Sequence, residues 1–245
     1  MSRVLIVVDT QVEETGKLAG ALPTTVQMVN AMKEAIASPS PTPVTVEVIP
    51  SSDLAQALLL PNQGSHLTAK DIIWCPLTLD VPNTLQFPGR SIFQACNDVT
   101  SLRQQVKQKF GYATGDSTQR LDNLYLPVVL TAKGPLYGEV IREEKTTRLY
   151  QQPVDLLDSQ RQPLYHLAYQ LLHSLSAPPT VYLLQFGYNE QDIVFDRLLS
   201  FPGVPAIASL GVQEPNLFTC HWRCLTNQPV IDLTITPENA SRTLA

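Results

Sequence analysis

The sequence predicts a fold that is α/β in its first part and α+β in its second: a small parallel sheet with crossover helices, followed by an antiparallel half. Three observations carry this. Short β-branched runs alternate with helical patterns up to about residue 75, the order expected of parallel strands with right-handed crossovers. From Leu124 onward, strand-like runs follow one another with turn residues between them, which favours antiparallel pairing. Finally, residues 158–175 carry the clearest amphipathic stripe of the chain.

The elements follow in order. VLIVVD, ending at Asp9, is the kind of run buried on both faces of a parallel sheet, and LPTTVQMVNAMKEAIA places Val26, Val29, Met32 and Ile36 at helical spacing. SPSPTP at 38–43 breaks the chain, VTVEVI is a second strand, and Ser52-Asp53 offers an N-cap to a short helix, DLAQALLL, that stops at Pro61. DIIWCPL is the third strand. VPNTLQFPGR is loop-like, and DVTSLRQQVKQKFG is a capped helix with Gly111 as its C-cap. The polar stretch ATGDSTQRLDN reads as a linker or loop. LYLPVVLTA, LYGEVIRE and TRLYQQP are three antiparallel strands with Gly134-Pro135 as a turn. In helix 158–175, Asp158 is the cap and Leu164, Leu167, Ala168, Leu171, Leu172 and Leu175 form the stripe. VYLLQFGYNEQDIVFDRLL is a hairpin turning through Asn189, PNLFTCHWRCL a second amphipathic helix and PVIDLTI a last strand. The predicted division is an α/β domain at 1–112, a linker at 113–123, a C-terminal domain at 124–235 and a tail at 236–245.

Composition excludes several classes of function. With 17 Lys plus Arg against 22 Asp plus Glu in 245 residues, the formal charge is -5, so there is no basic excess to neutralise nucleic-acid phosphates. The 44% apolar content suits a globular chain, and the apolar runs are too short for a membrane span. The opening MSRVLIVVDT lacks the apolar region and cleavage site of a secretory signal, so a cytoplasmic location is expected. Cys75, Cys96, Cys220 and Cys224 are too sparse for a disulfide framework and read as buried thiols. Glycine, at 11 residues against 20 prolines, is scarce for loops that must let backbone approach a phosphate.

Candidate site residues are few. Asp9 ends the first strand, where open α/β sheets place ligands. VVDTQ has a likeness to the start of isochorismatase-like hydrolases, but the later cysteine motif is absent, and a haloacid-dehalogenase-type Asp is missing because Gln11 stands there. Cys220 and Cys224, at i and i+4 with His221 between, invite a metal, yet no second ligand pair exists and buried helical thiols are the simpler reading. His166 and His173 fall on the outer face of helix 158–175, and His66 has no partner residue in sequence. Lys133 is a cation in a strand-turn-strand without the glycines of a phosphate loop. Gln185 and Asp196 lie on the two arms of the predicted hairpin, where two carboxylates would hold Mg²⁺ well, and a Gln with an Asp holds it poorly.

At this point the order of segments resembles the carboxyaminoimidazole ribonucleotide synthetases of purine biosynthesis, members of the ATP-grasp superfamily. DIIWCPLTLDVPNTL is similar to that family's strand and following loop, and NDVTSLRQQVKQKFG to its next helix, with Asp98 and Lys109 as counterparts. QQPVDLLDSQRQPLYHLAYQLLHSL resembles the helix before the catalytic hairpin, and VYLLQF and DIVFDRL resemble the two metal-bearing strands. In PNLFTCHWRCLTNQPV, Phe218, His221, Arg223 and Pro229 stand where the family has Phe, His, Arg and Pro. The resemblance implies a truncated ATP-grasp-like antiparallel α+β domain.

It also implies losses. Gln185 replaces the family's metal-binding Glu, Phe195-Asp196 replaces its Asn-Glu pair, and SFPGVPAIA replaces the APRPHNSGH segment. Too little chain separates Gly111 from Leu126 for the lid that clamps ATP. The expectation is a pseudoenzyme: a binding, assembly or regulatory protein with no cofactor and with a protein partner, for which Trp222, Phe201 and Pro202 are the candidate surface. The alternative is a ligase-type enzyme or nucleotide sensor with a residual Mg-ATP site. It would use Lys133, Arg142 and Gln185, with Asp196 on the metal, and it requires Lys133, Arg142 and Asp196 to converge.

Overall fold

The computed structural model describes residues 2–13, 17–38, 44–54, 72–82, 87, 89–115 and 123–236. Strand β1 (Ser2–Val8) lies between β4 (Val44–Pro50) and β5 (Ile72–Pro76), both parallel to it. A central parallel strand is covered on both faces, and Val4 to Val8 are accordingly all at most 1% exposed. The alternation splits them: Val4, Ile6 and Val8 join the main core, while Leu5 and Val7 meet Ile49, Leu54 and Trp74 in a second cluster on the other face. A two-residue hairpin pair, β2 (Gln11–Val12) and β3 (Leu18–Ala19), follows β1.

Helix α1 (Pro23–Ala37) begins with proline, whose missing N–H costs nothing in a first turn. It buries Met28, Val29, Met32 and Ile36. Val26, expected on that stripe, is 38% exposed: the buried arc is centred on Met28 and Met32, and Val26 falls outside it. Of the helix expected over 53–60, residues 55–60 lie outside the described residues, as does His66; Ser51–Asp53 form a turn of 3-10 helix and Leu54 after it is helical.

Helix α2 (Arg90–Asn97) occupies a stretch that had no assigned element. Its eight residues offer only Ile92, Phe93 and Cys96 to the core, too short a pattern to stand out. Asp98 then caps α3 (Val99–Gln105), its carboxylate accepting from the Ser101 N–H at 3.0 Å. The helix runs on as a π turn over Val106–Phe110 and stops at Gly111, whose φ of 75° is a left-handed C-cap.

The large sheet runs, from edge to edge, through Tyr150–Val154, Val140–Glu143, Leu124–Thr131, Thr180–Asn189, Asp192–Leu199 and Ala113–Thr114, with Gly134–Tyr137 also pairing Leu124–Thr131. Ala113–Thr114 form β6, parallel to the distal strand of the hairpin, so the expected linker begins as a strand. β7 is Leu124–Thr131, β8 Gly134–Tyr137, β9 Val140–Glu143 and β10 Tyr150–Val154. LYGEVIRE is therefore two strands and not one. The break is a one-residue slip of register along β7: Tyr137 pairs with Val128 but Ile141 with Tyr125, while Gly138, where a Cβ would meet Pro127 at 3.1 Å, still donates its N–H to the Pro127 carbonyl at 2.9 Å. The turn between β7 and β8 is Ala132-Lys133, with Gly134-Pro135 already in β8.

Helix α4 (Asp158–Ser174) starts one residue earlier than the expected cap implied: Leu157, not Asp158, is the N-cap, its N–H satisfied by the Gln160 side chain at 3.1 Å. Leu164, Leu167, Ala168, Leu171 and Leu172 are buried, and His166 and His173 face solvent as expected. β11 (Thr180–Asn189) and β12 (Asp192–Leu199) form the predicted hairpin. After a 3-10 turn at Val204–Ser209, β13 (Gln213–Glu214) leads to helix α5 (Leu217–Leu225), capped by Asn216. Of the predicted last strand only Thr234–Ile235 (β14) pairs, with β13.

One hydrophobic cluster runs through both predicted units, from Val4 and Met32 through Leu126 and Leu171 to Phe218 and Trp222. Helix α5 packs on α1 as well as on β11 and β7, so it joins the first half of the chain to the second.

Candidate functional site

The hairpin β11–β12 and its neighbour β7 bring a polar cluster to one end of the large sheet. Gln185 lies opposite Tyr125 of β7 and Arg197 of β12, and Tyr125 lies opposite Ile141 of β9. Directly opposed residues project from the same face, and Glu143, two residues beyond Ile141, joins them. Glu143 is buried and accepts from Asn123 Nδ2 at 2.7 Å and from Arg148 Nη1 at 2.9 Å, with the Tyr125 hydroxyl 3.5 Å away. Asn123 in turn accepts from Gln185 Nε2 at 3.2 Å. The result is a continuous chain from Arg148 through Glu143 and Asn123 to Gln185.

Asp196 reaches this end through a bulge. Arg197 pairs with Gln185 and Phe195 with Phe186, which leaves Asp196 without a partner in the ladder. A bulge of this kind re-aims a side chain, here towards α3. One carboxylate oxygen is bound by Arg103 of α3, whose Nε also donates to the Asp196 carbonyl at 2.9 Å, and the other accepts from Arg197 Nε at 3.1 Å.

The local electrostatics follow from burial and these pairs. Desolvation, reinforced by Tyr150 and Glu143, pushes the Tyr125 hydroxyl well above its ordinary range, so it stays neutral. The hydrogen bond and charge of Glu143 raise Arg148 further. Both carboxylates of the cluster thus face guanidinium groups. Among the described residues no group of three or more His, Cys, Asp or Glu side chains is placed to hold a metal ion. A Mg²⁺ ion at Asp196 would have to displace an arginine that carries its own positive charge.

The four candidate residues do not share one cleft. Gln185 and Asp196 are at the polar end. Arg142 lies opposite Leu124 at that same end, one residue out of phase with Ile141 and Glu143, so it leaves the other face of the sheet. Lys133 is exposed on the β7–β8 turn, beyond Thr131, at the opposite end of β7. Seven strand residues at ~3.3 Å each put the two ends ~23 Å apart, and the convergence of Lys133, Arg142 and Asp196 is not made. Asn123, Glu143, Arg148 and Arg103 were not singled out from sequence. The available signal was Glu143, a carboxylate in phase with the apolar Ile141.

The remaining candidates resolve as follows. Asp9 is exposed at the carboxyl end of β1, and Lys109 lies in the π turn. Trp222 (2% exposed) and Phe201 (5%) are core residues, and Pro202 is buried with them. They are not a partner surface: the stripe of α5 that carries Trp222 turns inward, and the segment after β12 is tucked under it.

Cys220 and Cys224 are buried helical thiols directed at carbonyls, of Pro215 at 3.4 Å and Leu130 at 3.6 Å. Burial pushes Cys220 and Cys96 up to about 12 and Cys224 to about 11, and it raises Cys75 too. Since the thiolate is the reactive form, titration with a thiol-reactive disulfide reagent at pH 7.5 is expected to leave all four unmodified in the native protein and to modify four on denaturation.

No family model matches the chain. No curated protein matches it either. Solved structures do. Glycinamide-RNase-transformylase T from Mycobacterium tuberculosis is 13% identical over 95% of this chain and 81% of that chain, with a TM-score of 0.65. N5-carboxyaminoimidazole synthetase from Staphylococcus aureus, complexed with ADP, is 10% identical over 96% and 80%, with a TM-score of 0.67. N5-carboxyaminoimidazole ribonucleotide synthetase from Thermotoga maritima is 10% identical over 95% and 78%, with a TM-score of 0.65. At such identities the likeness is one of fold, and the chain has an ATP-grasp fold resembling that of the N5-carboxyaminoimidazole ribonucleotide synthetases.

Proposed function

We propose that this protein is an ATP-grasp-derived binding, assembly or regulatory factor that does not carry out ATP-dependent ligation, works without a cofactor and acts on a protein partner in the cytoplasm. The observation that supports this is the Asp196 carboxylate, engaged by Arg103 and Arg197 on its two oxygens. Phosphoryl-transfer chemistry depends on charge placed around the metal and the transferring group. Here the carboxylate on one arm of the hairpin is neutralised by the protein itself, and the other arm offers the uncharged Gln185. The composition argues against a nucleic-acid partner, and no helix among the described residues is long and apolar enough to cross a membrane.

A second reading, a ligase-type enzyme or a nucleotide sensor with a residual Mg-ATP site, draws on the fold it shares with a synthetase solved with ADP. Calorimetric titration with ATP and ADP, with and without Mg²⁺, separates the two. The expected result is no saturable heat at millimolar nucleotide in wild type or in Asp196→Ala. Binding that requires Mg²⁺ and disappears in Asp196→Ala overturns the proposal, and release of ADP would then distinguish an enzyme from a sensor.

A further inference from the structure

Lys133, which the polar end of the hairpin does not use, belongs to a second locus. It stands on the turn between β7 and β8, at the end of β7 away from Asp196. That turn and the segment following α5 enclose a cavity of about 360 Å³, within the range of small-molecule sites, about 300–1,000 Å³. Its two sides are joined, because Cys224 Sγ of α5 donates to the Leu130 carbonyl of β7 at 3.6 Å. The turn is fixed as well: Thr131 Oγ1 accepts from the Lys133 N–H at 3.1 Å and donates to the Gly134 carbonyl at 2.8 Å.

The lining is apolar apart from neutral polar groups and one charge. Leu136 of β8, Pro179, Pro229, Val230 and Ile231 contribute to it, and Lys133 is its only charged residue. Val230 is buried, whereas its neighbour Ile231 is 86% exposed, an aliphatic side chain left almost wholly in water. Lys133 is exposed and makes no ion pair among the described residues. The carboxylate next to the lining, that of Asp232, accepts from the Leu233 N–H at 2.8 Å. The Lys133 ammonium swings on a flexible four-carbon stem rooted in the cavity wall, so its charge is available to a molecule seated there.

We propose that this cavity binds a small aliphatic monocarboxylate, its carboxylate on the Lys133 ammonium and its alkyl chain against Leu136, Val230 and Ile231. Charge complementarity sets the class of ligand. A cationic head would meet an uncompensated like charge, and a second negative charge would be left unpaired against apolar walls. The alkyl chain supplies affinity by covering apolar surface that otherwise faces water.

The test uses hexanoate as probe on the full chain, with 1-hexanol, hexylamine and butanoate as controls, and follows the backbone amide resonances of Lys133, Val230 and Ile231 by NMR. The expected result is a saturable shift of these amides with hexanoate at millimolar concentration. Affinity is expected to rise from butanoate to hexanoate by up to about fourfold per added methylene. In Lys133→Gln hexanoate should bind about fivefold more weakly, the scale of one partly exposed ion pair, and Lys133→Arg should restore it. 1-Hexanol is expected to bind wild type as weakly as hexanoate binds Lys133→Gln, and hexylamine not to bind. Lys133 is exposed on a turn, so both variants are expected to fold, and the comparison of hexanoate with 1-hexanol on wild type decides without them. No saturable shift at these amides, equal affinities for hexanoate and 1-hexanol, or unchanged binding in Lys133→Gln overturns the proposal. Lys133 and Asp196 lie at opposite ends of the sheet, so none of these outcomes bears on nucleotide binding at Asp196.

Discussion

Lowering the pH from 6.5 towards 3 is expected to destabilise the protein by several kcal/mol through His221. In the folded chain burial holds this imidazole neutral, with its pKa moved from 6.5 down to about 3. The unfolded chain takes up the proton near pH 6.5. Between these values the unfolded state binds more protons, so stability rises with pH, at up to about 1.4 kcal/mol per pH unit for one group. The penalty is absent well above pH 6.5, grows as the pH falls and is complete near pH 3. Carboxylates titrate over part of the same range, so the useful quantity is a difference. Urea unfolding of wild type and of His221→Gln, from pH 7.5 to 4, is expected to give two stability curves that converge on acidification. Parallel curves would mean that the folded protein accommodates the charged imidazole.

Replacing Trp222 by alanine is expected to lower stability by about 3–5 kcal/mol, the usual cost of emptying a large aromatic site in a core. Trp222 is 2% exposed on α5, the helix that packs on α1 and on the large sheet. Because one cluster of buried side chains crosses both halves, the loss is expected in a single transition. Trp74 then reports as the remaining tryptophan, and it belongs to the second cluster, on the opposite face of the parallel sheet. Its fluorescence and the far-ultraviolet circular dichroism should lose their native signals at the same, lowered urea concentration. Two separated transitions, with Trp74 unaffected, would show that the parallel sheet folds as a unit of its own.

Much of the fold is legible in the residues because its signals are local. The continuous apolar run VLIVV, the stripe of 158–175, the cap at Asp98 and the amphipathic pattern of PNLFTCHWRCL each act over a few positions, and the corresponding elements are present. The departures have equally local causes. Helix α2 is too short to show a pattern, and the break in LYGEVIRE is a one-residue slip in its register on another strand.

The candidate site was less legible. Gln185 and Asp196 could be placed on the arms of a hairpin, since both arms lie in one stretch of 19 residues, VYLLQFGYNEQDIVFDRLL. That Asp196 is turned by a bulge towards Arg103, 93 residues earlier in the chain, could not. Nor could the chain that joins Arg148, Glu143, Asn123 and Gln185, because it depends on the register of three strands. Trp222 shows the same division. Its helix was evident from PNLFTCHWRCL, but whether an aromatic residue on a helix faces solvent or core is set by what the helix packs against.

By itself, then, the sequence determined the types and order of most elements, the lack of a net basic excess and the uncharged Gln185 at one arm of the hairpin. The tertiary structure alone decided that Lys133 and Arg142 stand apart, that Asp196 is neutralised by two arginines and that His221 is buried with its Nε2 unpaired. The reason is physical: backbone propensity and periodicity act over one or two turns of chain, whereas charge pairing and burial depend on which distant segments are brought within a few ångströms.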